Sequence, residues 1–113
     1  MRFLFCAFFF IFCLSSTGHS SSHTQKDKDF IKKKFILVEQ SRQLYYRCLL
    51  SIPSRARKDA FTTWKYSEIE LNDAIRFLNE KNYRLAGQAI DSVLRDYKII
   101  NDIGKLWNAP YCS

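Results

Sequence analysis

Few residues in this chain could do chemistry. There are two histidines, His19 and His23, both ahead of the first periodic stretch, and four cysteines at 6, 13, 48 and 112. The carboxylates gather as Glu68, Glu70, Asp73 and Glu80. A hydroxyl nucleophile needs a base within hydrogen-bond reach, and no histidine falls where the chain reads as helical. The His, Cys and acidic residues are not at metal-ligand spacing, and no glycine-rich phosphate loop occurs, so no metal and no cofactor is expected. Clustered carboxylates could act as an acid–base pair. Their steps of three and four among lysines and arginines read instead as a solvated helix face, with Lys65–Glu68, Asp73–Arg76 and Arg76–Glu80 as pairs. The expectation is a protein that is not an enzyme and has no catalytic residue.

The elements that would carry any site begin with a leader. Met1 and Arg2 precede twelve apolar residues, Phe3 to Leu14, and then small residues including Ser16 and Gly18. A spanning helix needs about 20 apolar residues; a charged start, a short apolar run and small residues make a secretory signal peptide. It is expected to cover 1–18, with cleavage after Gly18 or alternatively Ser20, and a signal anchor as the other reading. The processed chain of about 95 residues suffices for one domain with a modest core. It keeps Cys48 and Cys112. In an oxidising compartment these are expected to pair within the chain, the alternative being a free Cys112 or one that pairs between chains. The bond would stabilise by roughly 4 kcal/mol on chain entropy.

Residues 19–28 are polar and aperiodic and read as a disordered lead-in. Beyond them the pattern is helical, and 29–113 reads as one helical domain. Ile31, Phe35, Val38, Tyr45, Cys48 and Ile52 form one apolar stripe, which Pro53 stops. Phe61, Trp64, Leu71, Ile75 and Leu78 form a second, with Glu68 upon it. Tyr83, Ala86, Ile90, Val93, Tyr97 and Ile100 form a third, closed by Gly104 as a C-cap. The short Lys81-Asn82 connection makes the second and third helices antiparallel neighbours. The fold class is all-α: an antiparallel helical hairpin or small up-and-down bundle.

Eighteen Lys and Arg, one of them Arg2 in the leader, against eleven Asp and Glu leave the processed chain at net +6. Lys32-Lys33-Lys34 is the densest run, and Arg55, Arg57 and Lys58 form a second group after Pro53. Such groups on a secreted protein suit an acidic polysaccharide, an anionic membrane or an acidic protein. Alternatively they are a solvated face that keeps the chain soluble. Export removes the chain from nucleic acid, so no nucleic-acid partner is expected. Glu39 and Gln40 interrupt the first helix as a membrane-active stripe, so no membrane contact is expected after signal cleavage.

The stretch LNDAIRFLNEKNYRLAGQAIDSVLRD resembles the plant invertase and pectin methylesterase inhibitor family, through Leu71, Ala74, Leu78, Asn82-Tyr83, Ala86, Ser92 and Leu94. FILVEQSRQLYYRCLLSIPSRARKDA is similar to the family's N-terminal hairpin, with Cys48, Leu50 and Ser51-Ile52-Pro53-Ser54 in the second half of that motif. The resemblance implies a helical protein of the cell wall or apoplast that covers the cleft of a carbohydrate-active enzyme. Its hinge implies Tyr83 and Arg84 as possible partner contacts. Some invertase-directed members carry Pro-Lys-Phe at this turn. Lys81-Asn82-Tyr83 here points to pectin methylesterase rather than invertase.

The chain also departs from the family. Members carry four cysteines in two disulfides, yet the expected partner of Cys48 falls near Glu39, and the second pair near Ser67 and Ile100. A segment between the N-terminal hairpin and the bundle, and the last helix, have no counterpart, so the fold is expected to be incomplete relative to a four-helix bundle. Cys112 has no family equivalent. The same hairpin also resembles a single tetratricopeptide unit, but such units need about three copies for stability. The alternative function is a secreted helical protein without inhibitory activity, such as a defence peptide or a degenerate family member.

Overall fold

Three helices account for the architecture: α1 (Arg2–Ser51), α2 (Arg57–Asn79) and α3 (Tyr83–Leu106), with no strand among the described residues. The structure is a computed structural model. It describes the backbone of residues 2–113 and the side chains of residues 25–113. The expected signal peptide and its cleavage site lie outside the residues whose side chains are described. The chain divides into two units, Met1–Phe30 and Ile31–Ser113. In the first, residues 25–28, expected to belong to a disordered lead-in, are helical, and Gln25, Lys26 and Asp27 are exposed. Neither proline nor glycine occurs between Gly18 and Pro53, so nothing in the backbone chemistry breaks the helix there.

The second unit is the bundle. Pro53 has no N–H to continue α1 and disfavours helix at the residue before it, so α1 closes at Ser51. The carbonyls left over at its end are taken up by Arg57, whose guanidinium donates to Leu50 O at 2.9 Å and Ile52 O at 3.0 Å. That one side chain satisfies part of the end of α1 and anchors the start of α2.

The α2–α3 turn is closed by backbone alone. Lys81 adopts the left-handed region at φ 60°, Asn82 N donates to Phe77 O at 2.8 Å, and Lys81 N donates to Leu78 O at 3.0 Å. This pair of bonds is the Schellman pattern. Asn82 then caps the next helix, its side chain accepting from Leu85 N at 3.3 Å, so one residue ends one helix and begins another.

Contacts give the helix directions. Along α1, Lys34 meets Asp91, Tyr45 meets Tyr97, and the Cys48 sulfur lies 3.9 Å from Asn101 Oδ1. The α3 partners ascend with the α1 residues, so α1 and α3 are parallel. Arg42 meets Glu68 and Tyr46 meets Trp64, a descending order that makes α1 and α2 antiparallel. The result, within the second unit, is an up-down-up bundle of three helices, with the 31–51 part of α1 laid along both others.

The core follows the expected third stripe residue for residue: Tyr83, Ala86, Ile90, Val93, Tyr97 and Ile100 are buried, and so is Gly104. From α1, Val38, Cys48 and Leu49 are buried, as is Ile52 just beyond it, with Ile31, Phe35 and Tyr45 packed on the cluster. The second stripe needs correction. The buried residues of α2 are Ala60, Trp64, Ser67, Leu71 and Ala74, whereas Phe61 and Ile75 stand at the rim, 36% and 37% exposed. Large apolar side chains suggested a path through 61 and 75. The helix instead turns Ala60, Ser67 and Ala74 inward with Trp64 and Leu71, and Trp64, stacked on Tyr97 with centroids 5.8 Å apart, fills the space between the helices at its level. Glu68 accordingly flanks the stripe rather than sitting on it.

Candidate binding surface

No group of three or more His, Cys, Asp or Glu among the described residues could hold a metal ion. Of the expected charge pairs, Asp73–Arg76 forms at 3.6 Å. Glu68 pairs across the bundle with Arg42 instead of with Lys65, because its place beside the buried stripe turns it toward α1. The Arg42 guanidinium also lies over the Trp64 ring, 5.6 Å from its centroid. Glu39, Arg42, Glu68, Leu71 and Asn72 line a cleft of about 340 Å³ between α1 and α2. Its cation is already engaged.

Glu70 is a residue that sequence reasoning assigned to a solvated face, and the structure places it elsewhere. Its carboxyl faces Asp96 of α3, and Glu70 Oε2 and Asp96 Oδ2 are both buried without a hydrogen-bond partner. Burial first, then the hydrogen bond that a protonated Glu70 carboxyl makes to Asp96 and the Asp96 charge, push Glu70 up to about 7, with Arg95 opposing and Asp73 adding to the effect. One shared proton would satisfy both orphan oxygens. Spacing along α2 carries no signal for this pair, since its partner lies on another helix.

Cys48 and Cys112 are joined, with their Cα atoms 4.7 Å apart, as expected. Gly104 is not the C-cap of α3. It lies inside the helix, and a Cβ there would meet Cys112 Sγ at 2.1 Å and Cys48 Sγ at 3.2 Å. Glycine is required because the disulfide crosses α3 at that point. The cap is formed further on: Asn108 takes φ 53°, Asn108 N donates to Lys105 O at 3.1 Å, and Ala109 N donates to Gly104 O at 2.9 Å. This second Schellman turn sends the tail back toward α1, where Ala109 is buried. Asn101 fixes the chain end by bonding both ways with the Ser113 backbone, at 2.8 and 3.1 Å.

The two expected contact residues are separated by burial. Tyr83 is the first buried residue of α3, 9% exposed, and packs into the bundle. Arg84, one step round the helix, is exposed and forms no ion pair among the described residues. At the opposite end, the disulfide and the second Schellman turn bring together residues that the sequence keeps far apart. Arg55 lies over the Trp107 ring at 5.0 Å and Arg47 over the Tyr111 ring at 5.3 Å. Arg55 belongs to the basic group after Pro53, and its aromatic partner comes from the far end of α3.

The bundle thus offers two basic exposed ends, a hinge end around Arg84 and a disulfide end around Arg47 and Arg55. No family model, no curated protein and no solved structure matches the chain.

Proposed function

We propose that the chain is a secreted, non-catalytic protein of the cell wall that acts by surface contact as an inhibitor of a carbohydrate-active enzyme, pectin methylesterase rather than invertase. The observation that supports this reading is the hinge. The Schellman turn at Lys81 and the Asn82 cap hold the end of the hairpin rigid, and Tyr83 is anchored in the core, so Arg84 is presented from a frame that needs little ordering on binding. Arginine on a preorganised support is a common anchor at protein interfaces. The choice of target rests on the resemblance at Lys81-Asn82-Tyr83. The second reading, a secreted helical protein without inhibitory activity, is favoured by the disulfide. It ties α1 to the tail, whereas the inhibitor family places two elsewhere.

Titration of the secreted protein against pectin methylesterase and invertase separates these readings. Inhibition of the esterase is expected. Arg84→Ala should weaken it while the melting temperature stays put. Ile90→Ala, at a fully buried site, should cost about 2–5 kcal/mol of stability. An active esterase at saturating concentrations of the protein overturns the proposal.

A further inference from the structure

We propose that the disulfide end of the bundle docks on an anionic phospholipid surface, which reverses the expectation of no membrane contact drawn from the stripe of the first helix. Along 47–59 and 103–113 the sequence carries five Lys and Arg against a single acid, Asp59. Arg57 is committed to the carbonyls that close α1. The other four, Arg47, Arg55, Lys58 and Lys105, are exposed and form no ion pair among the described residues. They come from α1, the turn, α2 and α3, so the bundle brings to one end charges that no single helix carries.

Apolar groups at the same end share this exposure. Leu106 is 81% exposed, Tyr111 63% and Trp107 42%. Both rings sit under arginines, an arrangement that keeps a cation and an amphipathic ring together where water meets hydrocarbon. The cations lie on four separate segments rather than around one point. That distribution suits a delocalised negative surface better than a single carboxylate on a protein partner. An acidic polysaccharide would use the arginines and rings, but it offers nothing to Leu106, whose burial in the acyl boundary is favourable. The surface is also preorganised: Cys112 is bonded to Cys48, and Asn101 holds Ser113, so little chain entropy is lost on docking. Among the described residues no helix is long and apolar enough to cross a membrane. The contact is therefore peripheral, made by the end of a folded bundle.

The two tryptophans supply the test. Trp64 is 6% exposed and Trp107 42%, so lipid contact at this end moves Trp107 emission and leaves Trp64 as an internal reference. The secreted protein would be titrated with vesicles of phosphatidylcholine alone and of phosphatidylcholine with phosphatidylserine, in low and high salt. The expected result is a blue shift with the anionic vesicles that high salt reverses and that Trp107→Phe abolishes. The double variant Arg47→Gln/Arg55→Gln should weaken binding by roughly 25-fold, about fivefold for each cation. Leu106→Ser should weaken it further, with thermal unfolding unchanged in each. No shift with anionic vesicles overturns the proposal, as does an equal shift with neutral ones. Binding to polygalacturonate without binding to vesicles overturns it too, and reassigns the surface to an acidic polymer.

Discussion

At the hinge end, α2 stops and α3 begins within three residues, and the bonds that do this run between neighbours in sequence: Asn82 to Phe77, Lys81 to Leu78, Leu85 to Asn82. At the disulfide end, Cys48 and Cys112 are bonded across a separation of 64 residues, and Gly104 of α3 makes room for them. The local end needs only the right turn residues. The long-range end needs three helices already in place before its cysteines meet. The contrast implies that damage at the hinge should cost a cap, whereas damage at the disulfide end should cost the closure of most of the bundle.

The largest effect should come from breaking the long-range end. Cys48→Ser/Cys112→Ser removes the cross-link and should destabilise by about 4 kcal/mol, read by chemical denaturation. Gly104→Ala, which on helix propensity alone should stabilise by about 1 kcal/mol, should instead leave titratable thiols, because its Cβ occupies the sulfur position. Full disulfide formation in Gly104→Ala would contradict the packing described above.

The hinge should respond less. Asn82→Ala removes the side chain that accepts from Leu85 N and should cost about 1 kcal/mol. A loss as large as that of the disulfide would mean the two ends are not built differently after all.

Between the ends, Glu70 and Asp96 make α2–α3 packing sensitive to pH. The folded Glu70 titrates near 7 against an ordinary 4.5, so between those values the folded state binds more protons than the unfolded one. Stability therefore falls as pH rises through that window. The carboxyl is only partly shielded from solvent, which reduces the effect to about 1 kcal/mol. The melting temperature should be higher at pH 5 than at pH 7.5, and Glu70→Gln should flatten this difference. A wild-type protein that grows more stable from pH 5 to 7.5 would show that the pair does not share a proton.

The smallest effect sharpens the comparison from the other side. Lys81 pays a steric cost at φ 60° that glycine avoids. Lys81→Gly should stabilise by roughly 0.5 kcal/mol, the gain at the turn being offset in part by a freer unfolded chain. Destabilisation on thermal melting would imply that the lysine side chain itself holds the turn.

Helix existence, the stop at Pro53, the hairpin and the inward face of α3 were all legible in the sequence, because each follows from local chemistry or from an unbroken period of three and four. The inward face of α2 was legible only in part. Apolar size pointed to Phe61 and Ile75, whereas the small residues Ala60, Ser67 and Ala74 lie inward with Trp64 and Leu71. The Arg42–Glu68 and Glu70–Asp96 pairings and the real task of Gly104 were not legible, since each joins residues on different helices.

By itself, then, the sequence determined three helices, their order and the antiparallel hairpin, and it made Cys48 and Cys112 the expected pair, with a free or intermolecular Cys112 as the alternative that the structure removes. Spacing along a chain reports which residues share a helix face. Only the tertiary structure decided that α1 runs parallel to α3, that two carboxyls share a buried contact, and that Arg47 and Arg55 meet Tyr111 and Trp107 at one end. Those arrangements depend on how each helix is rotated about its axis and which neighbour it meets. That is settled by packing large side chains against small ones across the core, a three-dimensional fit that no periodicity along one helix records.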